Sequence, residues 1–174
     1  IVRRLPRETT LRRTADDADP VERVIVANAD QLAVVVASTN PQPRTGLIDR
    51  ALIAAFDAGI SPLLIVTKTD LAPATELTAL YEPLGLPVVE VANKEVTTHI
   101  RGLFAGHRTV LIGHSGVGKS TLVNALVPDA ERTTGGVNEV TGKGRHTSTS
   151  VVALPFTDHG LIIDTPGIRS FGLA

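Results

Sequence analysis

The hydrophobic residues of this chain occur in short continuous runs, which are separated by stretches with helical spacing. The runs are rich in Val, Ile and Leu, and several are apolar at every position, which is typical of strands covered on both faces. Seven strands are predicted, at residues 24–27, 32–37, 63–67, 88–91, 109–112, 150–154 and 161–163. We therefore expect a sheet that is buried between two other layers.

The stretches between the runs predict helices. In the first of them the apolar side chains share one helical face, and Gly59 follows as the residue that ends the helix. That face comprises Leu47, Ile48, Ala51, Leu52 and Ala55. Further helices are predicted at residues 76–84, 97–105 and 118–126. The alternation indicates a three-layer α/β fold with a mostly parallel, doubly wound sheet, which binds its ligand at the carboxyl ends of the strands.

Composition narrows the class of protein. The chain has 174 residues, 43% hydrophobic and 20% charged, so one folded domain is expected, and disordered, collagen-like and coiled-coil proteins are excluded. With a net charge of −1, any contact with nucleic acid must use a local basic patch. Without cysteine, the chain holds neither a disulfide nor a cysteine-ligated zinc ion. No apolar run approaches the about 18 residues of a membrane span, so we expect a soluble, cytoplasmic protein.

The strongest chemical signal follows the predicted strand at residues 109–112. The sequence reads Gly113, His114, Ser115, Gly116, Val117, Gly118, Lys119, Ser120 and Thr121. It fits the phosphate-loop pattern G-x-x-x-x-G-K-[ST], whose glycines let backbone N–H groups surround an anion at the start of a helix. We expect Lys119 to reach the β and γ phosphates of a nucleotide and Ser120 to bind Mg²⁺. A serine hydrolase elbow is rejected, because Val117 stands where that motif needs glycine.

A second motif, Asp164, Thr165, Pro166 and Gly167, follows the last apolar run. A carboxylate at the end of a strand can hold Mg²⁺ through water, and Gly167 can donate its backbone N–H to the γ phosphate. Alone, this tetrapeptide is more often a plain turn. Its presence behind a phosphate loop favours a role in the nucleotide site.

A third motif, Thr67, Lys68, Thr69 and Asp70, also stands at the end of an apolar run. It resembles the guanine-specificity motif of GTPases, usually Asn-Lys-x-Asp, with threonine in place of asparagine. Asp70 can accept hydrogen bonds from N1–H and the 2-amino group of guanine, and adenine offers neither donor. We expect a buried Asp70 carboxylate that rejects ATP strongly. For this tetrapeptide alone, a helix N-cap beside a lysine is the alternative.

The order of the motifs is unusual, because the guanine motif precedes the phosphate loop. An ordinary GTPase has the opposite order, so the domain is predicted to be circularly permuted, which a doubly wound fold tolerates. This order of motifs, together with the sequences of residues 40–50, 142–149 and 164–173, makes the chain resemble the RsgA (YjeQ/YloQ) family. Members of that family are circularly permuted bacterial GTPases, which act in maturation of the small ribosomal subunit. The resemblance covers residues 24–174 and implies a P-loop NTPase fold that binds GTP or GDP with Mg²⁺.

The resemblance also implies a division of the chain. Family members usually carry an OB-fold before the GTPase domain and a Cys/His zinc domain after it. We therefore interpret residues 1–23 as a remnant or linker of the OB-fold and residues 24–174 as the GTPase domain, and we assign zinc only to a domain that this chain lacks. The chain is expected to be part of a longer protein. The implied partners are the small ribosomal subunit and its rRNA, with no membrane and a monomeric state.

Further site residues are assigned by the resemblance. Thr147 corresponds to the first-switch threonine, which binds Mg²⁺ when GTP is present, and the neighbouring His146 is the candidate for positioning the attacking water. Ile168 stands where many GTPases place the glutamine that orients this water, so slow intrinsic turnover is expected. Ala92 or Asn93 is expected to offer a backbone N–H to guanine O6.

Three alternatives concern partners and activity. Lys143, Arg145 and Arg169 form either a basic rim that meets rRNA phosphates or a solvated loop. The chain is either a GTPase or a nucleotide-gated RNA-binding assembly module with negligible hydrolysis, which Ile168 favours. An ATP-dependent P-loop enzyme is a third possibility, which the guanine motif disfavours.

Overall fold

The computed structural model describes residues 6–16, 19–128 and 151–166. Its strands are β1 (Thr10–Asp16), β2 (Asp19–Ala27), β3 (Gln31–Ala37), β4 (Ser61–Thr67), β5 (Val88–Val91), β6 (Arg108–Gly113), β7 (Val152–Pro155) and β8 (Leu161–Asp164). Its helices are α1 (Thr45–Asp57), α2 (Thr75–Tyr81), α3 (Thr98–Gly102) and α4 (Lys119–Leu126), with 3₁₀ turns at Glu82–Leu84 and Thr157–His159. No helix in these ranges is long and apolar enough to cross a membrane.

Six of the strands form one central sheet in the order β5-β4-β3-β6-β8-β7. Neighbouring strands are parallel, except that β7 runs antiparallel to β8 at one edge. The predicted mostly parallel sheet is confirmed, and its strands lie close to their predicted positions. β6, which leads into the phosphate-loop motif, lies in the middle between β3 and β8.

Helices cover both faces of this sheet, because the apolar strands bury side chains in both directions. β3 shows the alternation: Leu32, Val34 and Val36 pack in the core that contains α1 and α2. Ala33 and Val35 pack in the core that contains α3 and α4. All positions of β3 are buried. The three-layer α/β arrangement predicted from the sequence is therefore confirmed.

β1 and β2 form a separate two-stranded antiparallel sheet. The sequence predicted a strand at residues 24–27, but neither its partner β1 nor its place outside the central sheet. The hydrophobic pattern does not reveal β1, because Leu11 is followed at once by Arg12 and Arg13; Leu11 itself is fully buried in the core beside α1. The predicted boundary between residues 23 and 24 falls inside β2. The OB-fold interpretation of residues 1–23 stays a prediction.

The end of α1 follows the sequence prediction. Gly59 has a φ angle of +66°, a conformation that glycine adopts without strain. The N–H of Gly59 donates to the Phe56 carbonyl, and the N–H of Ile60 donates to the Ala55 carbonyl. These two bonds satisfy two of the last carbonyl groups of the helix where the chain turns toward β4.

Tyr81 joins α2 to α1 on this face of the sheet. Its hydroxyl donates to Asp49 Oδ1 at 2.7 Å, and its side chain is almost fully buried. Burial raises the pKa of Tyr81, and the hydrogen bond to Asp49 and the charge of that carboxylate raise it further. A phenol whose folded pKa exceeds its unfolded value of about 10 stabilises the fold below that pH, and the contribution is lost as the pH rises toward the folded value.

We therefore expect Tyr81→Phe to lower the free energy of unfolding by about 1 kcal/mol near neutral pH. Above about pH 10, the stability of the unsubstituted chain should fall with rising pH while that of the variant does not, so the advantage of the unsubstituted chain should disappear. Urea unfolding at neutral and alkaline pH measures both effects. The chain has one Tyr and no Trp, so phenolate absorbance follows Tyr81 alone, and a phenol that ionises near its ordinary pKa in the folded chain would contradict this assignment.

Candidate nucleotide-binding site

The three sequence motifs meet at the carboxyl ends of the central strands. β4 ends at Thr67, β6 at Gly113 and β8 at Asp164. β4 and β6 lie on either side of β3, and β8 lies next to β6. The chain builds the sheet outward from β3 to β5 and then returns through α3 to β6 on the other side of β3. Such a reversal leaves a crevice beyond the strand ends, where open α/β sheets bind ligands.

Glycine is required at three positions of the loop that follows β6. A Cβ on Gly113 would lie 2.5 Å from the Val35 carbonyl oxygen, so no larger residue fits without a shift of the backbone. Gly116 and Gly118 have φ angles of +84° and +93°, which glycine adopts far more readily than other residues. Gly118 is the N-cap of α4, and a helix that begins at such a turn offers free N–H groups and positive potential to an anion. The geometry fits the predicted phosphate loop.

Thr67 anchors the phosphate loop to β4. Its side chain is 5% exposed, and its hydroxyl lies 2.5 Å from the Val117 carbonyl oxygen and 3.1 Å from the Val36 carbonyl oxygen. A hydroxyl has one proton to donate, so it serves one of these acceptors at a time. The threonine that replaces the usual asparagine therefore joins the guanine motif to the phosphate loop.

Lys68 connects the loops that border the crevice. Its ammonium group donates to the carbonyl oxygen of Asn40, in the loop after β3, and to that of Gly116 at 2.9 Å. The Ser38 hydroxyl donates in turn to the Lys68 carbonyl oxygen at 2.8 Å. Lys68 has a φ angle of +60°, which is uncommon for a residue with a side chain. These contacts hold the lysine in place beside the phosphate loop.

A cavity of about 370 Å³ opens beside the phosphate loop, a size typical of small-molecule sites. The sequence-predicted residues among its lining are Thr67, Lys68, Asp70, Asn93, Gly118 and Thr121. Leu71, Val96 and Leu122 also line it and were not predicted, because they belong to no motif and reach the cavity only through the packing of α4 against the loops after β4 and β5. Lys94 lines it as well; it lies in the stretch 91–94 where the last guanine-binding element was expected, but its side chain had no assigned role. The cavity brings the guanine motif and the phosphate loop to one place.

Asp70 lines this cavity and is exposed, so the expectation of a buried carboxylate is wrong. Asp70 stands beyond the end of β4, where the chain has left the packed layers. Its Oδ1 accepts the N–H of Asn93 at 2.9 Å, and the N–H of Thr69 donates to the Val91 carbonyl oxygen at 3.4 Å. A carboxylate has about four lone-pair sites, so Asp70 retains capacity to accept hydrogen bonds from a base.

Asn93 and Lys94 form a tight turn after β5. Their φ angles are +50° and +62°, and the N–H of Glu95 donates to the Ala92 carbonyl oxygen at 2.9 Å. This combination is a type I′ turn. The turn lies against Asp70. The Asn93 N–H, one of the two N–H groups that the family resemblance assigned to guanine O6, has the Asp70 carboxylate as its acceptor.

Lys119 is buried beside the end of β8, with its side chain 8% exposed. Its ammonium group donates to Asp164 Oδ1 and, at 2.5 Å, to the Thr165 carbonyl oxygen. The Thr165 hydroxyl donates to the Leu111 carbonyl oxygen at 2.7 Å, which fixes this segment to β6. The sequence assigned Lys119 to phosphate and Asp164 to Mg²⁺; the structure adds an ion pair between the two.

The residues assigned to Mg²⁺ supply the oxygen donors that this cation prefers. Ser120 is exposed in the first turn of α4, and Asp164 ends β8. In the described part of the chain, no three His, Cys, Asp or Glu side chains cluster as a metal site. Mg²⁺ keeps several waters and needs only one or two carboxylates, so one carboxylate and one hydroxyl at this place fit it.

Part of the assigned site lies outside the described residues. This holds for Thr147, His146 and Gly167, and for Ile168, Lys143, Arg145 and Arg169. Within the phosphate loop, His114 is half-buried, and its Nδ1 lies 2.9 Å from the Ser115 carbonyl oxygen. The roles of these residues stay predictions.

Comparison with known proteins relates the chain to one family. A sequence model described as RsgA GTPase matches residues 4–174. The small ribosomal subunit biogenesis GTPase RsgA of Pseudomonas aeruginosa (strain LESB58) is 43% identical over an alignment of 181 positions. The alignment covers 99% of this chain and 52% of that protein. The protein of the same name from Pseudomonas syringae pv. syringae (strain B728a) is 44% identical with the same coverage.

Solved structures agree with this relationship. YjeQ from Thermotoga maritima matches with a TM-score of 0.67 and 27% identity, over 94% of this chain and 53% of that one. YloQ, a circularly permuted GTPase, matches with a TM-score of 0.60 and 29% identity, over 84% of this chain and 47% of that one. The chain spans about half the length of the curated relatives it matches. In motif order, in fold and in sequence, this chain belongs to the RsgA GTPase family.

Proposed function

We propose that this chain binds GTP and GDP with Mg²⁺ and hydrolyses GTP. The observation that carries the proposal is that Gly118 and Thr121 line the same cavity as Lys68 and Asp70. A guanine nucleotide has the matching groups: phosphates for the loop after β6, and N1–H and 2-amino donors for the Asp70 carboxylate. The names of the relatives, which call them GTPases, support the same ligand.

Catalysis of GTP hydrolysis in this site would be mainly electrostatic. Lys119 and the N–H groups of the phosphate loop stabilise the charge on the transferred phosphoryl group. The Lys119 ammonium is held by Asp164 and the Thr165 carbonyl, so nucleotide binding would separate this ion pair, with the lysine passing to phosphate and the carboxylate to Mg²⁺. Ser120 and Asp164 would hold Mg²⁺, which neutralises charge on the β and γ phosphates.

Water positioning is assigned by family resemblance. Thr147 would complete the Mg²⁺ ligands in the GTP-bound state, Gly167 would donate its N–H to the γ phosphate, and His146 would orient the attacking water. Because Ile168 cannot orient water, intrinsic turnover should be slow, near the about 10⁻⁴ s⁻¹ of unassisted GTPases.

The whole protein is proposed to act in the cytoplasm on the small ribosomal subunit. The relatives' names place them in small-subunit biogenesis, and Lys143, Arg145 and Arg169 would provide a basic rim for rRNA phosphates. Since this chain spans about half of those relatives, an OB-fold and a zinc domain elsewhere in the protein would add further contacts. We propose a monomer with no membrane association.

The proposal is tested by GTP and ATP hydrolysis, measured with the chain alone and with saturating small ribosomal subunits. We expect slow GTP turnover by the chain alone, a clear increase with small subunits, no increase with large subunits, and negligible ATP turnover. GTP binding without any stimulation would favour the alternative of a nucleotide-gated binding module. Equal use of ATP would favour a generic P-loop ATPase and contradict the proposal.

A further inference from the structure

The turn after β5 places a second lysine on the cavity. We propose that Lys94 is a specificity-determining residue, whose ammonium group donates to O6 and N7 of the guanine base. The inference rests on the proposed guanine-nucleotide function and deepens it. It assigns a hydrogen-bond donor to the edge of the base that Asp70 does not contact. Three observations support it.

The first observation is that the Asn93 N–H, one of the two donors expected at guanine O6, already has an acceptor. Family resemblance assigned O6 to a backbone N–H near Ala92 or Asn93. In the structure the Asn93 N–H donates to Asp70 Oδ1 at 2.9 Å, which braces the carboxylate that reads N1–H and the 2-amino group. A side-chain donor on the same turn can therefore serve the O6 and N7 acceptors.

The second observation is the location of Lys94. Among the described residues, the charged side chains that line the cavity are Lys68, Asp70 and Lys94. Lys68 is committed to the carbonyl oxygens of Asn40 and Gly116. Lys94 is exposed, and no hydrogen bond or ion pair of its side chain is found with the described residues. It is the cation on this cavity that remains available to a ligand.

The third observation is the backbone at Lys94. Its φ angle of +62°, at the second central position of a type I′ turn, is one at which glycine is strongly preferred. A lysine in this conformation is disfavoured relative to glycine. Residues held in such conformations cluster at ligand-binding sites, and the lysine side chain is the feature that a glycine here would lack.

The chemistry of the base explains the selectivity. Guanine presents two acceptors, O6 and N7, on one edge, and lysine or arginine is their usual partner in proteins. Adenine replaces O6 with an amino group, which is a donor and would face the ammonium group of Lys94. Asp70 and Lys94 together would contact neighbouring edges of guanine with opposite charge, and each would select against adenine.

The test compares GDP affinity of the unsubstituted chain with that of Lys94→Ala and Lys94→Gly, which both keep the backbone N–H. We expect both variants to bind GDP about 5- to 30-fold more weakly. The acceptor at position 6 is weaker in 6-thio-GDP, and the one at position 7 is absent from 7-deaza-GDP. For these analogues, the affinity of the variants should fall by a smaller factor relative to the unsubstituted chain. Inosine diphosphate lacks only the 2-amino group, so it should show the same loss as GDP.

A stability measurement separates binding from structure. Because glycine suits φ near +62°, Lys94→Gly should raise the midpoint of thermal unfolding of the nucleotide-free chain while it weakens GDP binding. His159→Gly is the matched control: His159 also has a φ of +62° and lies before β8, at the opposite end of the sheet. This control should raise the midpoint and leave GDP affinity unchanged.

Two negative outcomes are distinguishable. If both Lys94 variants bind GDP as tightly as the unsubstituted chain, or lose the same factor on every analogue, the proposed role of Lys94 is wrong while the proposed function stands. If the unsubstituted chain binds ADP as well as GDP, the proposed function itself fails, and the inference about Lys94 fails with it.

Discussion

Lys119→Ala is expected to reduce GTP turnover by about 10²- to 10³-fold, the usual cost of removing one donor that stabilises transition-state charge. The structure holds this ammonium group beside the phosphate loop by two contacts, to Asp164 Oδ1 and to the Thr165 carbonyl oxygen. Single-turnover hydrolysis, with the chain in saturating excess over GTP, measures the loss apart from any change in affinity. Arg108→Ala is the control, because Arg108 is exposed at the opposite end of β6, and its turnover should stay unchanged.

The same substitution should also destabilise the fold. Lys119 and Asp164 are 8% and 14% exposed, and removal of one partner from a buried ion pair costs about 3–5 kcal/mol, because the remaining charge is left unpaired. Combining Lys119→Met with Asp164→Asn removes both charges, so we expect urea unfolding to show recovered stability while turnover stays low. If the single variant is as stable as the unsubstituted chain and as active, the ion pair has neither role.

The central sheet could be predicted because its information is local. β3 is buried along its whole length, and a strand covered on both faces must be apolar at every position, which is visible in one short run of sequence. The end of α1 at Gly59 and the phosphate loop could be predicted for a similar reason. Their backbone needs φ angles of +66°, +84° and +93°, which favour glycine, so the glycines mark these turns in the sequence. The circular permutation followed from motif order alone.

Features that depend on distant contacts could not be predicted. β1 pairs with β2 and contributes one leucine, Leu11, to the core beside α1, which leaves no periodic signal in the sequence. The role of Thr67 depends on the carbonyl oxygen of Val117, far along the chain. Lys94 lines the cavity because a type I′ turn after β5 meets α4, and a turn without glycine carries no recognisable signature.

Asp70 is the residue whose environment was predicted least well and whose role is most decisive. It is exposed and bonded to the Asn93 N–H, so its selectivity does not come from burial before the ligand arrives. We propose that it comes from two hydrogen bonds to guanine donors that adenine lacks. Asp70→Asn preserves an oxygen that can accept the Asn93 N–H, so the turn should keep its shape while the pattern of donors and acceptors offered to the base changes.

The most direct test of guanine recognition is therefore the equilibrium affinity of the unsubstituted chain and of Asp70→Asn for GDP and for xanthosine diphosphate, in Mg²⁺. Loss of two charge-assisted hydrogen bonds should weaken GDP binding by about 10²- to 10⁴-fold. Xanthine carries a carbonyl oxygen in place of the 2-amino group, so the variant should prefer xanthosine diphosphate. The control is Asp57→Asn, because Asp57 is an exposed carboxylate at the end of α1. This variant should retain the preference for GDP. If Asp70→Asn binds GDP as tightly as the unsubstituted chain, the cavity beside Asp70 is not a guanine site.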